Sequence, residues 1–237
     1  IALAASVMAQ PVDDIIKRFP KLNPLSVPQV DKQTLPNGMR IYLLEDHSLP
    51  TVTASVRINC GSYLEPADKV GLADMCGEVM RTGGTAKWTG DQIDEQLEAV
   101  GATVETGIDL LFATGFMNAL SEYNDLGLEV LAEVLQRPVF DQDKIELAKV
   151  NQRSSIARRN DDADQIGQRE FRKIIYGAES PYARQAEYAT VNAVTKEDLA
   201  AFHKAWFRPE NVQIAVWGDF KKSEMIAKLT KFFGKWQ

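Results

Sequence analysis

Residues 34–44 read TLPNGMRIYLL, with the pair Asn37-Gly38 between two short runs that favour strands. An Asn-Gly pair flanked by apolar residues is the strongest short-range signal for a β-hairpin. The next stretch, residues 51–58 (TVTASVRI), alternates small polar and apolar residues at a period of two. We therefore predict a hairpin around Gly38, followed by a half-buried strand.

Outward from this hairpin, apolar periodicity and turn residues predict the remaining elements. Thr89 is a candidate N-cap, because Asp91 and Gln92 follow it at the start of a helical pattern. We predict further strands at 102–107, 111–117 and 212–218, and helices at 71–80, 91–100, 121–136, 141–160, 163–175, 196–206 and 223–233. Hairpins followed by a block of helices predict an α+β, two-layer domain, in which a mainly antiparallel sheet is covered on one face by helices.

The N-terminal segment, residues 1–32, differs from the rest in composition. Its opening, IALAASVMAQ, is similar to the apolar end of a secretory signal, and prolines at 20, 24 and 28 then favour an extended arm. We expect the compact domain to cover residues 33–237. The opening favours a periplasmic or secreted protein over a cytoplasmic one.

Composition excludes several classes of protein. Hydrophobic residues make up 45% and charged residues 25% of the 237 residues, as in ordinary globular domains. A net charge of −6 offers no general attraction for nucleic acid, and no apolar run approaches the length of about 18 residues that a membrane span needs. Cys60 and Cys76 lack the spacing of a zinc site, so we interpret them as buried structural thiols.

Residues that could carry catalysis are few. The two histidines, His47 and His203, lie far apart in the sequence and form no two-histidine motif. Asp74 and Glu78 could share one helix face and offer oxygens to a divalent cation. Two carboxylates fall short of the roughly 6–8 oxygens that Ca²⁺ prefers, so an acidic pair without metal is the simpler interpretation.

A series of short motifs has the order and spacing of a known family. They are LPNGMR at 35–40, GS at 61–62 with EP at 65–66, GLA at 71–73, SPY at 180–182, TKEDL at 195–199, and RPEN at 208–211 with VWGD at 216–219. Over most of residues 33–237 the chain thereby resembles the M16 metallopeptidases of the pitrilysin/insulinase type. The resemblance implies one half of such a protein, with the fold of a mitochondrial-processing-peptidase domain.

Active members of that family carry His-x-x-Glu-His directly after Gly-Leu-Ala, with two zinc ligands one helical turn apart and a glutamate that activates water. The matching residues in this chain are Asp74, Gly77 and Glu78. The family's third ligand, a glutamate on a later helix, falls at Ser154 or Ser155. The resemblance thus implies no catalytic residue and no bound zinc.

Three functions follow as hypotheses. In the family, catalytic and degenerate domains pair around a peptide-binding chamber, which favours an accessory subunit that holds extended peptides beside an M16-type zinc peptidase. The alternatives are a stand-alone divalent-metal-dependent hydrolase that uses Asp74 and Glu78, and a structural scaffold without peptide binding. If Gly77 is only a relic of the lost site, its replacement by alanine should add stability, since glycine in a helix costs about 0.8–1 kcal/mol.

Overall fold

The computed structural model describes residues 27–237, so most of the predicted N-terminal segment lies outside the described residues. Six strands form one sheet in the order β1-β2-β6-β3-β5-β4. All neighbouring pairs are antiparallel except β2 and β6, which run parallel. The strands are β1 (Asp31–Thr34), β2 (Arg40–Glu45), β3 (Thr51–Ile58), β4 (Thr103–Ile108), β5 (Ala113–Leu120) and β6 (Val212–Gly218).

Eight helices accompany the sheet in the described part of the chain: α1 (Leu72–Thr82), α2 (Gly90–Glu98), α3 (Asn124–Gln136), α4 (Gln142–Arg158), α5 (Ala163–Tyr176), α6 (Tyr188–Ala193), α7 (Lys196–Trp206) and α8 (Lys222–Phe233). The predicted α+β class with a mainly antiparallel sheet is confirmed. Strand β1 begins at Asp31, inside the segment assigned to the N-terminal arm, and α6 was not predicted.

One face of the sheet forms the hydrophobic core. Along β3, Val52, Val56 and Ile58 are buried, whereas Ser55 and Arg57 point to solvent. This alternation is the period-two pattern expected of a sheet with one covered face, so the helices form the second layer on that side. No helix among residues 27–237 has the length and apolar character required to cross a membrane.

Two local predictions can be compared with the backbone. The predicted hairpin between β1 and β2 is confirmed. Leu35 N donates to Met39 O at 2.8 Å, which leaves a loop of three residues, 36–38, and Gly38 in this loop adopts a φ of 92°. That loop places glycine at the position that needs a left-handed backbone. Thr89 is the N-cap of α2, where its side chain and that of Gln92 form a reciprocal capping box.

Candidate functional site

The start of α1 is held by a buried carboxylate. Glu65 Oε2 accepts hydrogen bonds from Gly71 N at 3.2 Å and Ala73 N at 3.0 Å. These amides are among the first N–H groups of the helix, which have no partner within the helix itself. Burial raises the pKa of Glu65, against the lowering effect of the two amide bonds and of Arg184. This contact fixes the position of the helix that carries the former family motif.

Asp74 and Glu78 both face α4, as expected for residues four apart on one helix. Gln152 Nε2 donates to Asp74 Oδ2 at 3.0 Å, and Asn151 Nδ2 donates to Glu78 Oε1 at 3.3 Å. Removal from water raises the pKa of each carboxyl group, and the amide hydrogen bond opposes that rise in both cases. Each carboxylate is thus paired with a neutral amide of α4.

Gly77 lies fully under β4. A Cβ atom built on Gly77 would sit 2.6 Å from Ile108 N and 2.8 Å from Gly107 C, closer than real Cβ atoms approach other heavy atoms. Thr106 Oγ1 also donates to Gly77 O at 2.7 Å, which ties the strand to this turn of the helix. The position of the family's general base therefore has no room for any side chain. The interpretation of Gly77 as a mere relic conflicts with this packing.

The two predicted positions of the third ligand bond back to their own helix. Ser154 Oγ donates to Val150 O at 2.9 Å, and Ser155 Oγ donates to Asn151 O at 3.1 Å. The residues of α4 that contact Asp74 and Glu78 are Gln152 and Asn151, which sequence reasoning missed. A signal was available, because these two amides precede Ser155 by three and four residues and so share its side of the helix.

The donor set does not fit zinc. Protein zinc sites use cysteine, histidine and a minority of carboxylates in a tetrahedron. Here two carboxylates face two side-chain amides, and the amide N–H groups point at the oxygens that a cation would need. Gln152 Nε2 also donates to Gly71 O at 3.0 Å, so its N–H₂ end is held in place by two acceptors. Across residues 27–237, no three His, Cys, Asp or Glu side chains cluster as metal ligands would.

A pocket of about 360 Å³ opens beside these residues. Asp74 and Ser155 lie in its wall, together with Glu65, Arg184 and Tyr182. Arg184 Nη2 donates to Glu65 O, which joins the segment before α6 to the base of α1. The pocket therefore combines acidic, basic and aromatic side chains, among them Asp74 of the former motif.

The other reactive side chains take no part in this pocket. Cys60 and Cys76 are buried, as predicted, and burial raises the pKa of the Cys60 thiol to about 12, which keeps it in the unreactive thiol form. His47 Nδ1 lies 2.7 Å from Asp219 Oδ1 on an exposed loop. The ring of His203 bonds to Leu135 O at 2.9 Å, in a half-buried position on α7.

The chain is similar to known proteins in both sequence and structure. It is 26% identical over 216 residues to the probable mitochondrial-processing peptidase subunit beta of Arabidopsis thaliana, a match that covers 89% of this chain and 40% of the relative. The M16 inactive-domain structure from Pseudomonas fluorescens superimposes with a TM-score of 0.79 at 23% identity, over 86% of this chain and 50% of that one. The periplasmic protease PqqL from Escherichia coli gives 0.78 at 20% identity, over 90% and 25%.

The chain spans half or less of the length of these proteins. Two family models match it: the one described as Insulinase (Peptidase family M16) covers residues 40–180, and the one described as Peptidase M16 inactive domain covers residues 193–237. The first match alone covers more than half of the sequence and includes both α1 and α4. The chain belongs to peptidase family M16.

Proposed function

We propose that this chain is a non-catalytic M16 protein that holds extended peptides and works beside an M16-type zinc peptidase. The observation that carries the proposal is the closure of Gly77 by the backbone of β4. Water activation in this family requires a carboxylate at that position. A glutamate there needs a Cβ atom, and α1 and β4 would have to move apart to admit it.

Peptide binding is supported by what remains around the closed position. The pocket of about 360 Å³ is within the size range of ligand sites, roughly 300–1,000 Å³. Tyr182 in its wall is partly exposed, and the ring of the exposed Tyr176 on α5 lies 5.6 Å from that of Tyr182, measured between centroids. An apolar and aromatic surface next to hydrogen-bonding groups suits an extended peptide.

A partner subunit is supported by the outer face of α5. Phe171, Ile174 and Ile175 are each more than half exposed, Ile174 by 81%. Contiguous exposed apolar side chains mark surfaces that contact other proteins. The Arabidopsis thaliana relative is itself named as a subunit, and a periplasmic location for this chain is supported by PqqL and by the apolar opening of the sequence.

The alternative of a divalent-metal-dependent hydrolase would use Asp74 and Glu78. The amide groups of Gln152 and Asn151 weigh against it, because they already donate to both carboxylates. A scaffold without peptide binding would leave the pocket without a role. These alternatives give different results in one set of measurements.

The test uses the purified chain, a quenched fluorescent peptide and elemental analysis. We expect peptide binding without cleavage and no stoichiometric zinc. Addition of an M16 peptidase with intact His-x-x-Glu-His from the same genome should give cleavage, and Ile174→Asp should weaken that complex more than Leu147→Asp, an exposed apolar residue on α4. One zinc per chain or cleavage by the chain alone would refute the proposal, a stoichiometric Ca²⁺ or Mg²⁺ would favour the hydrolase, and no peptide binding would favour the scaffold.

A further inference from the structure

A second, smaller cleft adjoins the pocket at the end of α4. Its volume is about 220 Å³, and six side chains line it: Arg159, Gln165, Gln168, Arg169, Arg172 and Gln185. We call it the arginine–glutamine cleft. Three guanidinium groups and three amides form its wall, and no carboxylate of the described residues lines it. Such a wall is rich in hydrogen-bond donors.

Two of the arginines are held in place by the chain. Arg159 Nη1 lies 2.8 Å from Glu187 Oε1 and donates to Ala186 O at 3.1 Å. Arg169 donates to Arg159 O at 3.1 Å and to Asn160 Oδ1 at 2.8 Å. These contacts hold two of the six lining side chains in place before any ligand arrives.

Arg172 differs from its two neighbours. It forms no ion pair or hydrogen bond with the part of the chain that the structure describes, and it is exposed. Glu187 pairs with Arg159, and Glu170 pairs with both Arg169 and Lys173, whereas no described carboxylate pairs with Arg172, so the cleft keeps a net positive charge. On a protein of net charge −6, this is a local exception.

Arg172, Arg159 and Gln185 also line the larger pocket, so the two spaces share part of their walls. Two buried atoms in the wall of that pocket, Gln152 Oε1 and Arg184 Nε, have no hydrogen-bond partner in the described residues. Buried polar atoms are usually paired, so the wall has hydrogen-bonding capacity that the chain itself does not use.

We propose that the arginine–glutamine cleft binds a carboxylate of the held peptide, with Arg172 donating to it and the glutamine amides bonding the peptide main chain. This inference rests on the proposed peptide-holding function and names its ligand class: peptides with an acidic side chain or a free C-terminus at this point. A planar guanidinium can donate two parallel hydrogen bonds to one carboxylate, which makes arginine suited to this recognition.

The experiment uses the full chain and four forms of one fluorescent decapeptide. The central residue is glutamate or glutamine, and the C-terminus is free or amidated, so the two sources of a carboxylate are separated. Fluorescence anisotropy gives the four dissociation constants. We expect a carboxylate-bearing form to bind roughly tenfold more tightly than the doubly neutral form, as for a hydrogen bond to a charged group.

Arg172→Gln should remove most of that difference and leave the affinity for the neutral form within about twofold. Arg158→Gln is the matched control, since Arg158 is an exposed arginine of α4 outside the cleft, and it should preserve the difference. Thermal melts of both variants check folding. Equal binding of all four forms, or a difference that survives Arg172→Gln, would refute the carboxylate site while peptide holding stands. Binding of none would refute both.

Discussion

At Gly77, α1 and β4 approach each other more closely than a side chain allows. The nearest backbone atom would lie 2.6 Å from a Cβ atom, and the helix carbonyl at this point accepts a hydrogen bond from Thr106. A single absent side chain thus determines both the packing of an edge strand and the loss of the family's general base.

We predict that Gly77→Ala destabilises the isolated chain. Overpacking of a tight contact costs about 1–3 kcal/mol, which exceeds the gain of roughly 0.8–1 kcal/mol from helix propensity. Gly167→Ala is the control, because a Cβ atom on Gly167, also inside a helix, would meet no atom within 4 Å. Thermal melts should move in opposite directions, and a more stable Gly77→Ala variant would contradict the close contact.

We predict that the buried His203 makes the free energy of unfolding depend on pH. Burial lowers the pKa of His203 from its ordinary value of 6.5, so the unfolded chain takes up a proton at a pH where the folded chain does not. Its contribution to stability is therefore complete above about pH 6.5 and is lost as the pH falls toward the folded pKa. Denaturant melts between pH 7 and pH 5 should show a smaller acid loss for His203→Gln than for the parent chain.

His47 serves as the control for that measurement. Its hydrogen bond to Asp219 raises the pKa of His47, so its contribution has the opposite sign and fades as the pH rises. Removal of His47 should not reduce the acid loss. An unchanged pH profile for His203→Gln would show that His203 does not remain neutral in the folded protein.

At the scale of elements, contacts at both ends of β4 hold this strand against α1. Arg81, buried on α1, donates from Nε to Val104 O at 2.7 Å and pairs with Asp94 of α2 at 2.6 Å. Because Val104 belongs to the edge strand β4, Arg81 connects α1 both to β4 and to α2. The Arg81 contact holds the start of β4 against α1, and the Gly77 contact holds the end of the strand.

We predict that Arg81→Met costs about 1–3 kcal/mol of unfolding free energy, since it leaves a buried carbonyl without its donor. Arg158→Met removes an exposed arginine and should stay within about 0.5 kcal/mol of the parent chain. Urea denaturation measures both. Equal effects of the two substitutions would indicate that the Arg81 contacts do not hold β4 against α1.

At the scale of the whole molecule, the close contact between β4 and Gly77 limits how stable the chain can remain when the His-x-x-Glu-His motif is restored. The double variant Asp74→His and Glu78→His should fold, because both positions face α4 rather than β4. Adding Gly77→Glu should lower the unfolding free energy by about 3 kcal/mol or more, at the upper end of overpacking. Neither variant should bind zinc tightly, since no third ligand is supplied at Ser154 or Ser155.

Thermal melts and zinc titration calorimetry of the double and triple variants test these predictions of stability and zinc affinity. A triple variant with nanomolar zinc affinity and the melting temperature of the double variant would show that the site can reopen without cost. The double variant controls for the loss of the amide contacts to Asp74 and Glu78.

Local signals explain why much of the fold could be predicted. Thr89 and Gln92 cap α2 through contacts within four residues, and the alternation along residues 51–58 appears directly as the buried and exposed sides of β3. The order of short motifs placed the chain in its family. The short helix α6 was missed because six residues carry too little periodicity to detect.

The sequence by itself determined the α+β class, the hairpin at Gly38 and the loss of His-x-x-Glu-His, because each depends on residues close together in the chain. Only the tertiary structure decided that Asn151 and Gln152, rather than the serines, donate hydrogen bonds to Asp74 and Glu78, and that β4 packs directly on Gly77. Both are contacts between segments far apart in sequence, set by how helices and sheet pack. Helix propensity alone predicts that glycine at position 77 destabilises α1. The backbone of Gly107 and Ile108, however, lies so close that only glycine fits there.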